Sequence, residues 1–157
     1  MSYETHNELE HFTYDQAQVG NLQIASGIFH FVFDNVMILP ENSCNRDIRT
    51  MRCNEMLFAL ENPEIVSVIE EGYRLLDANG NLKEEVPDRT IAEVDYSEVW
   101  EVLLGGEVYS LERTVKEQTG GEYLFVIDGT NERTYNILVK AQGDREEWER
   151  FLNVAEM

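Results

Sequence analysis

The chain has 157 residues, 43% of them hydrophobic and 27% charged, enough to build one core without a disulfide or a metal to hold it. Its 31 Asp and Glu against 12 Lys and Arg leave a net charge of −19. That field repels DNA, RNA and anionic lipid, whose affinity for proteins comes from Lys and Arg displacing counterions. A basic protein is the favoured partner instead, and no apolar run approaches the ~20 residues of a membrane span.

Residues 1–11 are polar, hold several acids and show no clear period, so they read as a flexible acidic arm before a single mostly-β domain over 12–157. The start of the chain lacks the basic-then-apolar pattern of a signal or transit peptide. A cytoplasmic protein with Cys44 and Cys53 reduced is therefore expected. Short strands are predicted over Phe12–Val19 and Leu22–Ala25. The Ser26-Gly27 turn then leads into the stretch Gly27–Leu39, where Phe29, Phe31 and Phe33 share one strand face. Ile28, Val32, Val36 and Ile38 share the other with His30 and Asp34, so this strand calls for cover on both sides.

After Pro40 the connection brings Arg46, Arg49 and Arg52 at a spacing of three. On a helical turn these would lie along one side, as an anion clamp or as partners for the surplus acids. Strands are predicted over Met56–Leu60 and Ile65–Ile69. Tyr73–Leu76 and Leu82–Val86 flank an Asn79-Gly80 pair, a strong hairpin signal. The run from Asp77 to Asp88 imitates a calcium loop, but Leu82 stands where that loop needs Gly, so a plain turn is expected. Glu70, Glu71, Glu84 and Glu85 are the acid pairs offered to a partner. A helix is predicted from Asp95, capped by it with Glu98, burying Val99, Leu103 and either Tyr96 or Val102 and ending at Gly105-Gly106. Trp100 lies off that stripe as a lid or a contact residue.

Val108–Val115, Glu122–Asp128 and Arg133–Ala141 predict an antiparallel meander with short Gly-containing turns. Beyond Gly143, Asp144 with Glu147 reads as a capping box, and Trp148, Phe151, Leu152 and Ala155 as the apolar stripe of a closing helix. The expected class is α+β but mostly β: an antiparallel sandwich or barrel, with a mid-chain helix and a C-terminal amphipathic helix packed on the sheet. Many strands followed by a Trp-bearing helix resemble the layout of pleckstrin-homology-type barrels, without the Lys/Arg cluster such domains use for phosphoinositides.

Catalytic chemistry finds no support. Cys44 and Cys53 have no paired base in sequence, His30 reads as a core residue, and no Gly-x-Ser-x-Gly elbow or phosphate-cradling loop occurs. His6, Glu8, Glu10 and His11 are metal-ligand types, but an arm would lose all its ordering entropy on binding. Neither a metal nor a cofactor is expected. The leading expectation is a non-enzymatic interaction protein for a basic partner, of the inhibitor or immunity type. The alternative is a small barrel holding an apolar ligand among Phe29, Phe31, Phe33, Tyr123 and Phe125.

Overall fold

In the computed structural model of this protein, which describes residues 2–154, Phe29, Phe31 and Phe33 are fully enclosed and Ile28, His30, Val32 and Asp34 are half-buried. Strand alternation therefore decides which face of the central stretch is core. In chain order the strands are β1 (Tyr3–His6), β2 (Phe12–Thr13), β3 (Gln18–Ala25), β4 (Ile28–Asp34), β5 (Val36–Ile38), β6 (Met51–Cys53), β7 (Met56–Glu61) and β8 (Glu64–Glu70). Then come β9 (Tyr73–Leu76), β10 (Leu82–Val86), β11 (Arg89–Thr90), helix α1 (Tyr96–Leu103), β12 (Glu107–Lys116), β13 (Gly121–Asp128), β14 (Thr134–Ala141) and β15 (Gly143–Trp148).

Ten strands form an antiparallel sheet in the order β1-β15-β7-β4-β3-β12-β13-β14-β8-β11. At its middle the sheet is joined over a short seam: β3 meets β12 at Gln18 and Glu107, with backbone bonds between residues 16–19 and 105–108 on either side. There it folds over, and Phe29 and Phe31 of β4 meet Phe125 of β13 with ring centroids 5.1 and 5.4 Å apart. The result is sandwich-like, each half covering the other's apolar face. The end strands β1 and β11 do not pair with one another, so no barrel closes. A smaller sheet, β2-β5-β6, adds Phe12, Val36, Ile38 and Cys53 to the same core.

Two local features redirect the expected strands. Asn35, at a φ of 63°, separates β4 from β5, and its backbone N–H donates to Asn54 Oδ1 at 2.9 Å. The break resets the alternation, so Val36 and Ile38 are enclosed along with the phenylalanines rather than facing away from them. The stretch read as a loose acidic arm holds β1, which pairs with β15 from Tyr3–Trp148 to His6–Arg145. Thr5 in β1 and Leu9 beyond it are both buried.

The meander stands as expected, β13 lying between β12 and β14. Helix α1 also lies where expected and buries Val99 and Leu103. Its capping box is not made: Asp95 sits at the N-cap without a side-chain capping bond, and a 3₁₀ turn over Glu93–Asp95 leads the chain in.

The closing helix is the main correction. Gly143–Trp148 is a strand, paired with β7 on one side and β1 on the other. Asp144, Glu146 and Trp148 point inward while Arg145 and Glu147 are half-exposed, which is a period of two. Asp144 caps nothing; its carboxylate accepts the Leu9 N–H at 3.1 Å and the Tyr123 hydroxyl at 2.7 Å. Phe151 lies on Trp148 and Tyr3 at 5.7 and 4.7 Å, and Leu152 exchanges backbone bonds with Arg52. Ala155 lies outside the described residues. With β15 in place of a closing helix and the sheet left open, the pleckstrin-homology layout is not the one adopted.

Candidate functional site

The acids singled out in the sequence do different jobs. Glu70, at the end of β8, is buried and accepts hydrogen bonds from Arg89 Nε at 3.0 Å and the Tyr135 hydroxyl at 3.0 Å, with Arg133 at 3.8 Å. Burial raises its pKa, but the bonds from Arg89 and Tyr135 and the charge of Arg133 outweigh that and hold it below the usual range. Glu71 accepts from Asn136 Nδ2 at 3.1 Å. Both residues fasten the sheet. Glu84 and Glu85 stand exposed on β10, Glu85 3.1 Å from Arg74 across the hairpin. Trp100 is half-buried beside Tyr96, ring centroids 5.5 Å apart. Four of these five residues therefore lie on three elements, and Glu71 on the connection after β8. Glu70 shares with α1 a cleft of about 200 Å³ that also takes in Asp95, Glu98 and Arg89.

The arginines do not lie along a helical turn, because residues 41–50 form turns and bends. Arg49 holds Asp47 at 3.1 Å, and Asp47 is lowered below its ordinary pKa by that bond. Arg52 belongs to β6, donates to Asn54 at 3.2 Å and lines, with Arg150, an open groove of about 660 Å³ that Asp34, Glu55 and Glu149 share. Arg46 is exposed and does not line that groove.

Cys44 and Cys53 are free thiols. Burial pushes Cys53 up to about 12, a protonated and inert state. Cys44 Sγ faces the Glu4 carbonyl oxygen at 3.9 Å. Desolvation, then the nearby charge of Arg145, lowers the pKa of His30. Of the metal-ligand types near the N-terminus, His11 holds Glu8 at 2.9 Å and Glu10 holds Arg113 at 2.7 Å. Among the described residues no group of three or more His, Cys, Asp or Glu is arranged to hold a metal. Asp77 Oδ1 accepts the N–H groups of Asn79 and Asn81 at 2.8 and 2.9 Å, so the calcium-like run is a hairpin turn. The aromatic residues suggested for an apolar ligand fill the interior themselves: Phe31 and Phe33 stack at 5.2 Å, and Phe58 meets Phe125 at 5.9 Å.

Three features escaped the sequence. The first is a buried pair of acids, Asp144 and Glu146, with Thr5 Oγ1 donating to Glu146 Oε1 at 2.9 Å. Burial, reinforced by the hydrogen bond and negative charge of Asp144, pushes Glu146 up to about 11. Tyr14 and Tyr123 beside them are raised as well, by burial first and then by these carboxyls. The second is an acid-only stretch of chain, of which Asp95 and Glu98 share the α1 cleft with Arg89. Between Arg89 and Arg113 the chain carries Glu93, Asp95, Glu98, Glu101, Glu107 and Glu112 and no Lys or Arg. All but Asp95 are exposed, and between them Val94 is 87% and Tyr109 69% exposed. Tyr109 lies in a groove of about 450 Å³ whose charged lining, among the described residues, is Asp15, Glu107, Glu112 and Asp128. The third is the setting of the β9/β10 hairpin: the hairpin itself was expected, but it stands as a two-stranded sheet of its own with leucines in solvent.

Comparison with protein-family models, with curated proteins and with solved structures found no match. Among the described residues no helix is long and apolar enough to cross a membrane.

Proposed function

We propose that this chain is a non-enzymatic interaction protein whose acidic surface receives a basic protein, in the manner of an inhibitor or immunity protein that neutralises a cationic partner. One observation carries the reading: the groove at Tyr109 has four carboxylates and, among the described residues, no cation in its lining, with a large aromatic ring exposed among them. Carboxylates that face no internal base keep their field for a visitor, and an aromatic ring beside them offers a guanidinium or ammonium group both a face to stack on and a charge to meet. The wider −19 field steers such a partner from a distance.

The test is kinetic. A partner captured from lysate by the tagged chain at low salt is purified, and its association rate is measured from about 50 to about 300 mM NaCl. The expected result is a basic partner whose rate falls about tenfold or more over that range and whose affinity falls in Tyr109→Ser. A rate indifferent to salt, or a partner with no basic surface, overturns the proposal.

A further inference from the structure

Among the described residues, no strand pairs with the outer edge of the β9/β10 hairpin. Strand β9 reads Tyr73-Arg74-Leu75-Leu76 and pairs with β10 alone, so its outer row of N–H and C=O groups is open. Leu75 is 45% exposed, Leu76 60%, and Leu82, opposite Leu76, 55%. Tyr73 and Leu75 alternate with Arg74 and Leu76, so both faces of the ribbon show large apolar groups. A two-stranded ribbon is marginal by itself in water, and exposed apolar edges are templates for another strand. Its base is pinned, with Gly72 N–H donating to Asp88 Oδ1 at 2.7 Å and Arg133 over the Tyr73 ring at 5.0 Å.

We infer that the open edge of β9 pairs antiparallel with β9 of a second copy, giving a weak two-fold dimer. The basic partner proposed above finds no carboxylate on this edge, because β9 itself holds no acid: Glu84 and Glu85 stand on β10, the far strand of the ribbon, and Glu85 is already paired with Arg74. Charge also chooses between the two edges of the ribbon. A two-fold axis normal to two antiparallel strands sets one residue opposite its own copy. On β10 a centre at Lys83, Glu84 or Glu85 opposes like charges in every case, which destabilises the pairing. On β9 a centre at Leu75 sets leucine against leucine, the Arg74 stem against Leu76, and the Tyr73 hydroxyl near Asp77. No like charges meet. Two strands this short bury far less than the ~1,200 Å² of a stable interface, so the dimer is weak and concentration-dependent.

This dimer and the binding of a basic partner respond oppositely to salt, so each stands or falls alone. Sedimentation of the full chain, at protein concentrations up to about 1 mM, is compared at about 50 and about 500 mM NaCl. The expected result is a mass that moves from 18.2 kDa toward twice that value at the higher salt, as screening relieves repulsion between two copies of net charge −19. The double substitution Leu75→Ser, Leu76→Ser weakens this association about tenfold or more, while Tyr109→Ser leaves it unchanged. The register is read separately: in a Cys44→Ser background with oxidised glutathione as oxidant, Leu75→Cys gives a disulfide-linked dimer and Leu82→Cys does not. A chain that stays monomeric at both salts, that associates more strongly as salt is lowered, or that dimerises undiminished in the double variant overturns the inference.

Discussion

Strand β15 and the β9/β10 hairpin are mirror images in polarity. β15 turns two carboxylic acids into the core and leaves Arg145 and Glu147 outside; the hairpin puts leucines into water while a glutamate sits on the same face as Leu75. Each is costly alone. Buried acids stay only where donors and a shared proton hold them, and exposed leucines persist in an edge ribbon chiefly where another surface covers them. The interior exception is held within the chain at three of its four carboxyl oxygens, by Thr5, Tyr123 and the Leu9 N–H, with Glu146 Oε2 left without a partner among the described residues. The exterior one points outside it.

The largest expected effect tests the inner half of that contrast. Asp144→Ala strips the partner from the Tyr123 hydroxyl and the Leu9 N–H together, leaving two buried donors unpaired. A loss of about 3–5 kcal/mol in urea unfolding is expected, with amide exchange fastest in β1. A loss under about 1 kcal/mol would mean that the N-terminal strand is not tied down through this carboxylate.

Next in size is the pH response of Glu146. Its pKa is raised by burial, so the folded chain keeps a proton that the unfolded chain gives up above the ordinary carboxylate range. The stability this contributes is therefore complete at acid pH and declines as pH climbs toward about 11, by at most ~1.4 kcal/mol per pH unit. The groups that face it are Asp144, Thr5, Tyr14, Tyr123 and Glu8. Glu146→Gln retains a group able to accept from Thr5 and donate to Asp144, but releases no proton. Its stability relative to the native chain is expected to increase steadily from about pH 6 to about pH 9, measured by chemical unfolding at each pH. Parallel curves for the two proteins would show that Glu146 is already ionised in the fold.

The same strand explains where sequence reasoning worked and where it did not. The phenylalanines of β4, the meander and the Asn79-Gly80 hairpin were legible because apolar alternation and turn chemistry agree there with the tertiary result. β15 was not, because two of its three inward side chains are acids, so a search for apolar period two sees only Trp148. The spacing of Trp148, Phe151 and Leu152 then mimics a helix although the strand ends at Trp148. Asn35 hid the resetting of β5 in the same way, since nothing in its neighbours marks a positive φ. Of the acids, those that fasten the sheet, such as Glu70, cannot be told in sequence from those that face solvent, such as Glu84. Only the arrangement of Arg89, Arg133 and Tyr135 around the first separates them.

The smallest effect sharpens the outer half of the comparison. Leu76→Ser removes an apolar side chain that already lies 60% in solvent, so the unfolding free energy of a dilute monomer should move by no more than about 0.5 kcal/mol. The ribbon keeps its Asp77 turn and its Gly72–Asp88 pin, which do not involve that side chain. If dilute Leu76→Ser instead loses about 2 kcal/mol or more, the side chain is part of the monomer's own core. The polarity inversion of the hairpin would then be an internal packing feature, with no second copy needed to account for it.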